Sequence, residues 1–465
     1  MISLRALTNI VLVLGIIWYR SGSLIKNAIL FRSPFPQGYI ANGNYTSDCT
    51  TIRDSAHKTE DSLSSCEDET FWELHDAAGK VVQRPVIVSC DPGRRAWNTV
   101  MGPLRNPEPH GGLWLYVPER APGKESKSLL SSTVAANKAH RITFKNYPAN
   151  HDFHPLGVEV WPSHAGNSSN LYVVNHARER TVIEQFTINP AKPTEAVHVR
   201  TISSGYFISP NGLALTSPDS FYVSNDHLLT RRLPIVGHIL PLIESVLGLP
   251  LGFVSHVTLN KPTSTENGAI AEHFFAKLFI PFANGVALSP SGDELAIVST
   301  SVSQILFFER DTATGKLGQK NDVVHVPFAP DNLHYTASTS GGKRHELIVA
   351  GHPNFPDLTA VAASKPGATA ASWVATIVPK EGDKRIAETG FDTEAPVSIS
   401  TKIAKDGTGW TLKTLFQSDG VEDKGGFGSS TTGLRDPDSG AVYISGLYAA
   451  GGLLVCKPGS GIAKR

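Results

Sequence analysis

The chain has 465 residues, with 42 Lys and Arg against 42 Asp and Glu, so its formal net charge is zero. Balanced charge without Lys/Arg runs excludes an electrostatic nucleic-acid reader, and no nucleic-acid partner is expected. An apolar share of 40% supports a packed core, and 41 Gly with 31 Pro suit a chain of many turns.

In chain order, residues 1–45 read as a leader and connecting segment. An apolar run from Ile10 to Trp18 suits a signal peptide or signal anchor and is short for a membrane span. Two glycosylation sequons, at Asn44 and Asn167, fit a secretory route, with the product secreted or anchored by its N-terminus. In that setting the four cysteines suggest two disulfides. Cys49 and Cys456 bracket the globular part, and Cys66 and Cys90 flank a hairpin expected over Phe71–Ile87. The alternative is four buried thiols.

Residues 46–465 read as one domain of repeated hairpins. Asn211-Gly212-Leu213-Ala214-Leu215, a turn at Ser217–Ser220 and Phe221-Tyr222-Val223 form one unit. Asn284–Leu288 with Leu295–Val298 repeats it. Looser copies are Leu156–Val160 with Leu171–Val174, Asp331–Leu333 with Leu347–Ala350, and Thr432–Leu434 with Ala441–Ile444. Small antiparallel units recurring every ~45–70 residues predict an all-β fold, a β-propeller whose inner strands converge on a central channel. Leu228–Phe253 departs from the pattern. It is apolar, broken by Pro234, Pro241 and Pro250, and follows His227 directly. It reads as a short helical lid or membrane-facing helix pair, or as a helix packed on the propeller.

The sequence lacks the Gly-x-Ser-x-Gly, HExxH, P-loop and GxGxxG motifs, which removes the main support for a serine hydrolase, a zincin or a nucleotide enzyme. Oxygen ligands remain. Glu60-Asp61, Asn211, Asn284 and Asp331-Asn332 each stand where an apolar strand begins. A single Asn-Gly is usually only a turn. Repeated in register around an axis, these residues offer two carboxylates and three amides, a hard-oxygen set that suits calcium and not zinc.

With those stretches in view, the chain resembles the paraoxonase/arylesterase family of six-bladed, calcium-dependent hydrolases. The matching segments are Thr59-Glu60-Asp61, Leu171–His176, Ser224–His227, Phe282–Gly285, Asp331-Asn332, Gly351–Asn354 and Leu454-Val455-Cys456. The resemblance implies that Glu60, Asn211, Asn284, Asp331 and Asn332 bind the catalytic calcium. It also implies that Cys49 pairs with Cys456 and that His176 belongs to a catalytic histidine pair. The family's other histidine precedes the strand glycine, where this chain has Leu156; His154 stands two residues earlier. The family's buried structural calcium would use Asp61 and a backbone carbonyl at Val158, but Gly212 stands where an acid is usual. Asp226, His227 and His352 are candidates for orienting His176, with structural hydrogen bonding as the alternative. The expectation is a secreted or membrane-anchored hydrolase of aryl esters or lactones, with a small-molecule substrate, Ca²⁺ as cofactor and contact with a lipid surface through the lid. A strictosidine-synthase-like enzyme and a non-catalytic calcium-stabilised scaffold are the alternatives.

Overall fold

The computed structural model describes residues 3–25, 35, 40–41, 48–53, 62–108, 110–119, 128–262, 268–337, 345–379 and 410–458. Apolar runs such as Leu171–Val174, Leu295–Val298 and Leu347–Ala350 are buried on both faces. A strand buried on both faces reads as a continuous apolar run, and turn residues on either side end it. Each such run is the second strand of a four-stranded antiparallel meander.

Among the described residues, six such meanders follow one another. Their innermost strands are Cys66–Phe71, Pro155–Val160, Pro210–Ser217, Ala283–Leu288, Ala329–Thr336 and Ser430–Arg435. Each innermost strand packs on the next, and the last packs on the first, so the propeller closes on itself. The outer strands of the first two meanders also join, through a parallel pairing of Thr143–Lys145 with Glu195–Val197. Between meanders lie apolar clusters. In one, Phe307 stacks on Trp410 with ring centroids 4.5 Å apart.

Closure is covalent as well as apolar. Asp48–Ile52 is the outer strand of the last meander and pairs antiparallel with Leu453–Lys457. Cys49 faces Cys456 in that pairing and the two form a disulfide. Cys66 and Cys90 form the second, across the first two strands of the first meander. No free cysteine exists among the described residues.

One local feature recurs. Where each innermost strand begins, its register against the second strand slips. The slips lie between Cys66 and Asp68, Pro210 and Leu213, Ala283 and Val286, Pro330 and Leu333, and Ser430 and Thr432. In the second meander Val173–Asn175 crosses Pro155–Val158 with the same kind of slip. A bulge leaves residues out of the ladder and re-aims their side chains. The residues left out are Glu67, Leu156-Gly157, Asn211-Gly212, Asn284-Gly285, Asp331-Asn332 and Thr431. The glycines allow the neighbouring backbone to approach. A Cβ on Gly157 would lie 2.1 Å from the Asn211 carbonyl oxygen, and one on Gly285 would lie 2.7 Å from the Asn332 Cα.

The lid is shorter than Leu228–Phe253. A 3-10 turn spans Val236–His238 and one helix spans Leu240–Val246, while Gly252-Phe253 already belong to the strand Gly252–Leu259. Near the N-terminus Leu4–Leu24 is helical. Among the described residues no helix is long and apolar enough to cross a membrane.

Candidate active site

The bulged residues meet at one end of the channel, where a cavity of about 360 Å³ opens. Glu67, Asn211, Asn284 and Asp331 all line it, so four residues from four meanders reach one space. The amides are oriented by their nitrogens. Asn211 Nδ2 donates to Asp226 Oδ2 at 3.3 Å, and Asn284 Nδ2 donates to Thr300 Oγ1 at 3.3 Å. Asn332 Nδ2 donates to Glu67 Oε1 and to Thr432 Oγ1, both at 3.0 Å. An amide whose NH₂ is fixed has its oxygen fixed too. Asn211 Oδ1, Asn284 Oδ1 and Glu67 Oε2 are buried and accept no hydrogen bond from any described residue. Buried oxygens left open in this way are the exception in folded proteins. Burial first, then the neighbouring Asp68 and Asp331, push the Glu67 carboxyl well above its usual range. Hard, partly anionic, unsatisfied oxygens are what a calcium ion uses, so the donor set fits one. Among the described residues no cluster of three or more His, Cys, Asp or Glu side chains could hold a metal; the free donors here are largely amides.

Glu60 and Asp61 lie outside the described residues. The acidic pair that opens the first innermost strand is Glu67-Asp68. The signal for it in the sequence is Cys66, whose bridge to Cys90 fixes where that strand begins. Asp68 is not open. Its oxygens accept from the Val158 N–H at 2.9 Å, the Glu69 N–H at 2.9 Å and the Thr432 hydroxyl at 3.0 Å. His334 adds an ion-pair contact at 3.6 Å. With Asp68 satisfied and glycine at 212, the residues present do not fit a second calcium.

The side chain of His176 bonds Thr99 and Pro210, not the three residues expected to orient it; Asp226 and His352 support the ring of oxygens directly, and His227 does so through Asp226. His352 Nε2 lies 2.8 Å from Asp331 Oδ2. Asp226 holds Asn211. His227 Nδ1 lies 3.2 Å from Asp226 Oδ1, and its Nε2 lies 2.7 Å from Ser245 Oγ in the lid helix.

The two histidines of the second meander differ sharply. His154 is 1% exposed, with Nδ1 3.1 Å from Asp91 and Nε2 3.4 Å from Asp152. Burial alone would lower its pKa, but the bonds to Asp152 and Asp91 outweigh burial and hold it at about 9. It is a fixed cation at neutral pH. His176 is also buried, and burial lowers it to about 4. Its Nε2 lies 2.7 Å from the Pro210 carbonyl oxygen and its Nδ1 2.5 Å from Thr99 Oγ1. Sequence reasoning passed over Thr99, which sits on a loop without apolar periodicity between Cys90 and Gly112. That loop forms part of the cavity wall, as do Trp97 and Met101, with Leu156, Leu242 and Phe282 from elsewhere. Of the two sequons, Asn44 lies outside the described residues and Asn167 is exposed.

The arylesterase family pattern matches residues 121–408, well over half of the chain. The chain belongs to the arylesterase family. A serum paraoxonase/lactonase 3 from Oryctolagus cuniculus is 23% identical over 239 residues, 51% of this chain and 60% of that protein. A serum paraoxonase/arylesterase 1 from Mus musculus is 28% identical over 202 residues, 43% of this chain and 50% of that protein. The chain therefore spans about half the length of these curated relatives. Among solved structures, the PQQ domain of pyranose dehydrogenase from Coprinopsis cinerea superposes over 91% of this chain and 98% of its own, at 11% identity and a TM-score of 0.46.

Proposed function

We propose that this arylesterase-family chain is a calcium-dependent hydrolase of aryl esters or lactones. The observation that carries the reading is the set of buried, unpartnered oxygens, Glu67 Oε2, Asn211 Oδ1 and Asn284 Oδ1, around one cavity. Asp331 and Asn332 complete the ligand set. A bound calcium would polarise the substrate carbonyl and favour the negative charge that develops on its oxygen.

The chain's own residues supply the rest. Trp97, Met101, Leu156, Leu242 and Phe282 give the cavity an apolar wall, which excludes water and suits an aryl or alkyl group. Asp226, Thr300 and His352 hold the ring's amides and Asp331 in place, so little reorganisation is needed when a substrate arrives. His176 is neutral and is the base that activates water; a positioned base typically contributes ~10²–10⁴-fold. His154 is held towards its charged form by Asp152 and Asp91, which favours His176 as the base. One observation favours a non-catalytic scaffold instead: Leu156 stands at the ring position of the second meander, where the resemblance places a histidine.

Two disulfides and the exposed Asn167 support passage through the secretory pathway. Exposed Ile235, Ile239 and Leu242 on the lid support contact with a lipid surface. The test of the function is a panel of phenyl acetate, a lactone and paraoxon, assayed with calcium and with chelator. Calcium-dependent turnover of at least one substrate is expected. Full activity after exhaustive chelation would overturn the calcium reading, and no turnover of any substrate would favour the scaffold.

A further inference from the structure

The hydrogen bonds of His176 restrict how it can act. The Pro210 carbonyl 2.7 Å from Nε2 can only accept, so Nε2 carries the ring proton. A bare Nε2 facing that oxygen would set two lone pairs against each other. In the neutral ring the basic lone pair is therefore on Nδ1. Thr99 Oγ1 covers that lone pair at 2.5 Å and must donate its hydroxyl proton to it.

Thr99 is not on a loose loop. Trp97 Nε1 donates to the His176 carbonyl at 2.9 Å. Asn98 Oδ1 accepts from the Val100 and Met101 N–H groups, both at 3.0 Å. The Arg231 N–H, at the start of the lid, donates to the Val100 carbonyl at 2.7 Å. These contacts hold the Thr99 hydroxyl against the ring from both sides of the turn. Thr99 and His176 both line the cavity that the ring of open oxygens faces.

We infer that Thr99 is a catalytic residue, the hydroxyl through which a proton passes between the attacking water and His176. The inference rests on the hydrolase reading above and names the route its base must use. As a water O–H bond breaks, its proton goes to Thr99 Oγ1, and the Thr99 proton goes to His176 Nδ1. The hydroxide adds to the substrate carbonyl carbon. When the ester C–O bond breaks, the imidazolium returns its proton through Thr99 to the departing alkoxide. The sum is ester plus water giving acid plus alcohol, with Thr99 and His176 restored. A hydroxyl hydrogen-bonded to a base that is itself oriented by a third group is the arrangement by which a base draws that hydroxyl's proton; here the attacking water replaces it. The Pro210 carbonyl that accepts from Nε2–H favours the transient imidazolium.

The test compares Thr99→Val, Thr99→Ser and His176→Gln in the full chain with calcium present. Each is assayed on whichever panel substrate the wild type turns over, with calcium content and circular dichroism measured alongside. Thr99→Val is nearly isosteric and is expected to lower kcat by ~10²–10⁴-fold with KM little changed and calcium retained. Thr99→Ser, which keeps a hydroxyl, is expected to keep most of the rate. The double variant Thr99→Val/His176→Gln should lose no more than the worse single variant, because the two residues act as one unit. A proton inventory on the wild type needs no variant, and it should curve, since two protons move together. Near wild-type kcat in folded, calcium-loaded Thr99→Val, with His176→Gln inactive, overturns the relay and leaves the hydrolase reading standing. A linear proton inventory also overturns the relay. A wild type inactive on every panel substrate overturns both.

Discussion

Glu67 and Asp68 are neighbours in sequence and opposites in structure. At the level of Glu67 the channel holds three buried oxygens that no described residue satisfies. At the level of Asp68, two backbone N–H groups, a threonine hydroxyl and His334 surround the carboxylate. Both levels are built from residues of the innermost strands. An unsatisfied buried oxygen is costly unless something binds it, whereas a satisfied one contributes to folding. The upper level is therefore organised for a ligand and the lower level for the fold itself. The open oxygens fit one cation site, whereas Asp68 and Gly212 do not fit the second site that the family resemblance names.

The largest expected effect tests the upper level. Exhaustive chelation should abolish hydrolysis, and Asp331→Ala should lower calcium affinity and activity together, by at least about 10²-fold in rate. Metal analysis of the purified protein should find one calcium per chain. Two tightly held ions would break the contrast between the levels.

The next effect tests the lower level. Asp68→Asn sets an NH₂ group against donors that now face a carboxylate. It should cost about 1–3 kcal/mol of stability in denaturant unfolding while calcium is still bound. Glu67→Gln should do the reverse, losing calcium and activity while the metal-free protein unfolds no earlier than wild type. If Asp68→Asn instead releases the metal with stability unchanged, the two levels have been misassigned.

Gly212→Asp restores the acid that the family resemblance places there. Its Cβ would lie 3.0 Å from the Gly285 Cα. The expected result is a loss of about 1–3 kcal/mol from overpacking, with no second ion gained. A second equivalent of calcium in titration calorimetry would show that the lower level needs only the missing acid.

The smallest effect concerns the histidines, where the same contrast recurs. His154 lies between two carboxylates, Asp91 and Asp152, whereas His176 offers its Nδ1 lone pair to a hydroxyl on the cavity wall. The His154 pKa rises from about 6.5 when unfolded to about 9 when folded. The folded state then binds the proton more tightly than the unfolded state. This stabilisation is complete below pH about 6.5 and fades as pH rises through about 9. Wild type should lose stability over that window faster than His154→Gln, as read from melting temperature against pH. Equal slopes would show that His154 is not held as a cation.

Much of the ring was legible because its signal repeats. Asn211-Gly212 and Asn284-Gly285 each precede an apolar run and a turn, and Asp331-Asn332 falls in the same place. Glu60-Asp61 lies outside the described residues, and Glu67-Asp68, the acidic pair that opens the first strand, has no periodicity in the sequence to fix its register. The Cys66–Cys90 pairing fixes that register. Thr99 had no sequence signal, since its role depends on a histidine 77 residues away.

By itself the sequence determined the repeated hairpins, the closing cysteine pair and the amide oxygens at the starts of three inner strands. The hairpins and the amides follow from local apolar periodicity and turn chemistry, which act over a few residues, and the cysteine pair, 407 residues apart, from its place at the two ends of the repeated units. Only the tertiary structure decided which oxygens stay open, which histidine holds a proton and which hydroxyl covers the other. Glu67 and Asp68 share a strand and a chemistry. What separates them is that donors from other meanders reach both oxygens of Asp68 but only one oxygen of Glu67, and those donors are set by packing between meanders.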